Sequence, residues 1–229
     1  MEKAMENDLD RISNDLVKSL QHNDLTDLGA TIGDLALDSV ISSGALDGVP
    51  VVGTMVNIAR SGAAIRDLLF QRKVIAFLAS FAKESDPTSR EDFVRKIEEQ
   101  DQGHRFGETI LLLIERMDDL SKPVIVGRLM AAAARGDMSL KEGLRLSKIV
   151  DRAFVEDLVV LPDLIDTKVQ PDEAVADALF SAGLLSNDGI DGGTYQSVEE
   201  GGEPGGTIYS RNRYARLLIE FGLSSGKKP

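Results

Sequence analysis

The chain has 229 residues, 26 lysines and arginines against 38 aspartates and glutamates, and a formal net charge of −12. Such an acidic protein is repelled by a phosphate backbone unless its bases gather on one face, and with no cysteine it has no disulfide, thiolate metal site or cysteine nucleophile. Apolar residues at 42% are enough for a core, but aromatics at 5% and no tryptophan require that core to be filled by Leu, Ile, Val and Ala, which suits closely packed helices.

In chain order, residues 3–21 predict an amphipathic helix with Leu9, Ile12, Leu16 and Leu20 on one stripe. That stripe is the expected surface for pairing between chains, so a homo-oligomer is expected. The charged start has no apolar signal core, and the reading is of a cytoplasmic protein, with peripheral contact at the inner membrane as an option. A second helix is expected over about 26–43, bearing Leu28, Ile32, Leu35 and Ile41. "SSGALDGVP" then supplies a turn through Gly48 and Pro50.

Residues 51–83 carry an apolar pattern read as two helices. "ESDPTSREDFVRKIEEQ" opens another, capped by Asp86 or Ser89. "GETILLLIERMDDL" and "SKPVIVGRLMAAAARG" follow, the latter closing on Gly136, and "SLKE" at 139–142 has the form of a capping box. After residue 150 come a helix broken at Pro162, a helix "DEAVADALFSAGLL" ending near Gly183, and two β-capable pieces at Thr194–Val198 and Thr207–Tyr209. A final helix bears Tyr214, Leu217, Leu218 and Phe221. The fold class is therefore mainly α: a helical bundle over 1–150, a module with a short β-hairpin over 151–223, and a disordered tail over 224–229.

The helix, helix, hairpin, helix order resembles a winged-helix module, which implies either DNA binding or protein docking. Residues 151–203 hold 13 acids and two bases, Arg152 and Lys168, a balance of −11. "PDEAVADALFSAGLL" has no Arg, Lys, Asn or Gln to reach a base edge. Arg211, Arg213 and Arg216 are the candidate nucleic-acid contacts for a DNA-binding regulator, the alternative to protein docking.

No nucleophile elbow, phosphate-loop lysine motif or dinucleotide fingerprint occurs, and no cofactor is expected. His104, with Glu108 four residues on, is the one place for a metal-dependent hydrolase, a second alternative. A solvated helix junction is the plainer reading, and no metal ligands are assigned. His22 is read as a helix-terminal residue.

Residues 42–73 are uncharged from Gly48 to Ala59 and then basic, with Arg60, Arg66, Arg72 and Lys73 against Asp67. Three readings compete. Gly44, Gly48, Gly53, Gly62, Ala63 and Ala64 let helices approach inside a bundle; or the segment meets an anionic membrane; or it meets a protein partner. Val51, Val52, Met55, Arg60, Arg66, Arg72 and Lys73 are the contact residues in the last two. Asp34, Asp38 and Asp47 oppose full insertion, and the uncharged run is shorter than the ~20 residues that a span needs.

"VPVVGTMVNIARSGAAIRDLLFQRKVIAFLASF" also resembles a pattern in uncharacterised bacterial proteins often carried near mobile or phage-defence genes. Pro50, Gly53, Ile65, Arg66, Asp67, Leu69, Phe70, Lys73, Phe77 and Leu78 carry it, and it extends over about 40–165. The resemblance implies bacterial origin and a role in defence or stress. The expectation is a non-enzymatic interaction protein that self-associates and contacts a protein partner or the membrane surface.

Overall fold

The structure is a computed structural model that describes residues 2–22, 25, 48–59, 65–170, 172–193 and 205–224, with the side chains of 2–9, 56–59, 65 and 66 left out. It divides into two compact units, Met1–Ser147 and Lys148–Pro229. The protein is mainly helical with one small antiparallel sheet. The helix expected over 26–43, the strand expected at Thr194–Val198 and the tail lie wholly or almost wholly outside the described residues.

The described helices of the first unit are α1 (Glu2–Leu20), α2 (Pro50–Ala59), α3 (Ile65–Lys83), α4 (Pro87–Glu99), α5 (Gly103–Arg116) and α6 (Ser121–Arg135); α7 (Leu140–Arg152) carries the chain onward. Their ends follow local chemistry. Asp86 caps α4 by accepting from the Ser89 N–H at 2.9 Å, with Pro87 at the first helical position. Gly136 ends α6 at φ 84°, a left-handed conformation that glycine adopts without a Cβ penalty. Ser139 and Glu142 close the expected capping box reciprocally, with Ser139 N to Glu142 Oε2 at 3.0 Å and Glu142 N to Ser139 Oγ at 3.2 Å.

Packing is organised by two close approaches. Where α6 crosses α3, a Cβ on Gly127 would stand 2.4 Å from the Phe77 carbonyl oxygen and 3.0 Å from the Phe81 nitrogen. Only a residue without a side chain fits against backbone at that distance. Ser80 Oγ adds a 2.6 Å bond to the Val124 carbonyl across the same contact. Where α5 meets α1, a Cβ on Gly107 would stand 2.2 Å from the Ser13 carbonyl oxygen. From the first contact a row of rings runs from α3 through α4 to α5. Successive centroids of Phe77, Phe81, Phe93 and Phe106 are 6.3, 6.2 and 5.6 Å apart, within the range of favourable ring pairs.

Two of the sequence expectations change here. Of the stripe on α1, Leu16 and Leu20 are fully buried within their own chain and are not a free surface for pairing, Ile12 is half-buried, and the side chain of Leu9 lies outside the described residues. Among the described residues the glycines that let helix backbones meet are Gly107 and Gly127; a Cβ at Gly53 would meet nothing within 4 Å, and Gly44, Gly62, Ala63 and Ala64 lie outside the described residues.

The second unit contains α8 (Val155–Val160), a 3-10 turn Leu161–Asp163, β1 (Lys168–Val169), α9 (Glu173–Ser181), β2 (Leu185–Asp191), β3 (Gly206–Arg211), α10 (Arg213–Leu217) and a final wide turn Leu218–Leu223. The strands lie in the order β1-β3-β2, all antiparallel. Pro162 ends α8 as expected, and Gly183 follows α9 at φ 87°. The hairpin differs from expectation: its first strand is Leu185–Asp191, and β1 adds a third strand. A bulge between Asn187 and Gly189, with Gly189 at φ 129°, lets this polar, acidic segment pair despite its weak strand character.

Gly127→Ala should lower the stability of the first unit by about 1–3 kcal/mol, the range for overpacking a filled core. Thermal melts followed by far-UV circular dichroism check this, and an unchanged midpoint would contradict the Gly127 contact.

Candidate interaction surfaces

The sequence-derived candidates separate into buried, engaged and exposed groups. Val51, Val52 and Met55 are 0%, 4% and 8% exposed, so in this fold they are core residues and not a lipid or partner surface. The cause is α1: Leu16, Val17 and Leu20 are buried with them, and polar contacts fix the register. Ser19 Oγ donates to the Asp15 carbonyl at 2.6 Å and accepts from the Val51 N–H at 3.0 Å, and Thr54 Oγ1 donates to Asp15 Oδ2 at 2.7 Å.

Of the basic group, Lys73 donates to the Glu115 carbonyl at 3.0 Å, tying α3 to the end of α5. Arg72 is half-buried on α3 and engaged. Arg60 and the side chain of Arg66 lie outside the described residues. His104 Nε2 lies 2.9 Å from Asp10 Oδ1, joining α5 to α1. Among the described residues no three of His, Asp and Glu are grouped to hold a metal ion, so His104 and Glu108 do not form the cluster that the hydrolase alternative needs.

Sequence reasoning passed over two guanidiniums at the end of α3, Arg90 buried and Arg135 half-buried. Arg90, 1% exposed, donates through Nη1 to the Ser85 carbonyl at 3.0 Å and the Ala82 carbonyl at 3.4 Å, while Arg135 Nη1 donates to the Glu84 carbonyl. Both guanidiniums thus serve carbonyls left open at the end of α3. Burial pulls the Arg90 pKa down, and the nearby Asp86 and Glu91 carboxylates partly oppose it. Lys122, also buried, pairs with Asp118 at 2.6 Å and holds that carboxyl below its ordinary value. These are structural uses of positive charge.

In the second unit Arg211 is spent internally. Its Nε and Nη2 donate to the two Asp166 oxygens at 3.0 and 3.1 Å. Its backbone N–H donates to Asp166 Oδ1 at 2.7 Å, and Nη1 donates to the Pro162 carbonyl at 3.0 Å. A two-pronged guanidinium–carboxylate pair of this kind fixes geometry as well as charge. Arg211 is therefore the clamp of the loop before β1 and not an open nucleic-acid contact. The same loop is held by Gln170, whose buried amide donates to the Ile165 and Lys168 carbonyls at 2.6 and 2.9 Å. Arg213 and Arg216 lie exposed on α10, and Arg213 is engaged.

The outward face of α9 consists of Glu173, Ala174, Asp177, Ala178, Phe180 and Ser181, while Ala176 and Leu179 face the core. Asp177 accepts the Tyr209 hydroxyl, and this bond together with burial raises the Tyr209 pKa above 10.0. Phe180 remains 43% exposed beside the Tyr209 ring, with centroids 5.6 Å apart. Comparison of the chain with protein-family models, curated proteins and solved structures finds no match.

Arg211 holds the Asp166 carboxyl below its ordinary value of 3.8, first by the side-chain bond and then by the backbone N–H. A carboxylate depressed in the folded state stabilises fully above its unfolded pKa and loses that effect as pH falls through the folded value. The stability advantage of the wild type over Asp166→Asn should therefore be complete near neutrality and shrink below about pH 4. All three tyrosines lie beyond residue 194 and tryptophan is absent, so tyrosine fluorescence reads the second unit alone. An advantage that grows on acidification would contradict the assignment.

Proposed function

We propose that this chain is a non-enzymatic interaction protein whose second unit, a winged-helix-like module, docks a protein partner. The observation that carries this reading is the outward face of α9, which presents Glu173 and Asp177 beside the half-exposed Phe180 and no basic residue. In a winged-helix arrangement the helix before the hairpin is the reading element, and here β1-β3-β2 with α9 ahead of β2 supports that comparison. A nucleic-acid reader needs donors aimed at phosphates and base edges. An acidic and aromatic face instead favours contact with a protein surface.

The DNA-binding alternative is left with Arg213 and Arg216, because Arg211 is committed to Asp166. The hydrolase alternative has no described cluster to support it. The bacterial defence or stress role stays part of the proposal, carried by the sequence resemblance, and self-association stays part of it, carried by the narrow apolar stripes of the helices in an acidic chain.

Duplex DNA anisotropy at low salt, compared with chemical cross-linking of the chain in cells of its host, tests the docking reading. The expected result is no salt-sensitive DNA binding, and a defined cross-linked partner lost on Phe180→Glu. DNA binding that disappears in Arg213→Ala/Arg216→Ala would overturn it in favour of the regulator.

A further inference from the structure

Exposed apolar side chains are ordinary when scattered and informative when grouped. Four large ones stand exposed within the short segment Phe154–Ile165: Phe154 at 72%, Val159 at 64%, Ile165 at 55% and Val160 at 39%. Of α8 only Leu158 is buried, so most of its apolar surface faces solvent. The helix has six residues and is therefore about 9 Å long. Phe154 at its start and Val159 and Val160 at its end thus fall within reach of one short segment of a partner. Ile165 is held out on a fixed backbone. Its N–H donates to Gln170 Oε1 at 3.3 Å and its carbonyl accepts from Gln170 Nε2 at 2.6 Å, while Arg211 grips the next residue, Asp166. An apolar side chain on an ordered loop has little backbone freedom left to lose on binding.

The charge around this group names its occupant. Residues 153–166 contain the acids Glu156, Asp157, Asp163 and Asp166 and no base. Asp166 is committed to Arg211, whereas among the described residues Glu156, Asp157 and Asp163 pair with no base. A second copy set symmetrically on the group would bring these carboxylates against themselves. We infer that Phe154–Ile165 docks an amphipathic segment of a partner protein, apolar where it meets Phe154, Val159 and Ile165 and bearing lysine or arginine at its margins. Apolar anchors ringed by charge of one sign fit such a segment in both chemistry and register. The surface uses other residues than the outward face of α9, so this inference and the docking reading of α9 fail separately.

A dye-labelled peptide with leucine on one helical face and lysine on the other is titrated with the full-length protein and read by fluorescence anisotropy, beside a peptide with glutamate in place of lysine. The lysine peptide should bind and the glutamate peptide should not. Phe154→Ser/Ile165→Ser leaves every charge in place and should weaken binding several-fold. Glu156→Gln/Asp157→Asn/Asp163→Asn should also weaken it several-fold and flatten its salt dependence. Phe180→Ser should bind as wild type does. The residues changed in the segment are exposed or half-buried, and tyrosine fluorescence verifies that each variant keeps the second unit folded. The inference is overturned if the lysine peptide does not bind, if the glutamate peptide binds as well, or if either variant of the segment binds like wild type. Loss of binding in Phe180→Ser would move the site to α9. A wild-type dimer that Phe154→Ser/Ile165→Ser turns into a monomer would make the occupant a second copy, and either result also overturns it.

Discussion

The contact of Gly127 with the Phe77–Phe81 backbone sets the arrangement of the first unit. With no side chain between them, α6 lies directly on α3, which is why both helices are buried over most of their surface and need no large residues at the crossing. Val74 to Ala82 forms an unbroken buried run, a pattern suited to a helix enclosed by others. Enclosure leaves the carbonyls at the end of α3 away from water, and Arg90 and Arg135 answer them. The aromatic row then orients α4 and α5, and Gly107 repeats the close approach for α1. α2 comes last in this order, held chiefly by α1 and less by α3.

The second unit is held by different means. It has fewer large apolar side chains, and its loops are fixed by polar bonds: Asp166 with Arg211, Gln170 with the carbonyls around it, and Asn212. The Asn212 side chain accepts from the Tyr214 and Ala215 N–H groups to start α10 and donates to the Gly183 carbonyl at 2.9 Å. These bonds consume Arg211, a base that sequence alone offers to DNA, and leave acidic and aromatic side chains facing outward on α9. The charge balance of the segment is thus reflected in the surface that the fold displays.

What the sequence made legible was local. Asp86, Gly136, Ser139 with Glu142, Pro162 and Gly183 each act within a few residues of themselves, so their roles follow from spacing. The second strand of the hairpin at 206–211 was also readable. What was hidden depends on partners distant in sequence. The pairing of Leu185–Asp191 is imposed by β3 and made possible by a bulge at Gly189, and its composition argues against a strand. Gly107 and Gly127 look like any helical glycine until Ser13 and Phe77 arrive beside them. Val51, Val52 and Met55 read as an open apolar face because the helix that covers them comes much earlier, Ser19 standing 32 positions before Val51. Arg211 reads as free because Asp166 lies 45 positions away.

If the first unit is built outward from the α3–α6 contact, with α2 held last and released first, native-state hydrogen exchange reads that order directly. The amides of Val74–Ala82 and Leu129–Ala134 should exchange only with global unfolding, while those of Val52–Met55 exchange through a smaller opening that leaves α3 and α6 protected. Equal protection of α2 and α3, each lost only on global unfolding, would contradict it.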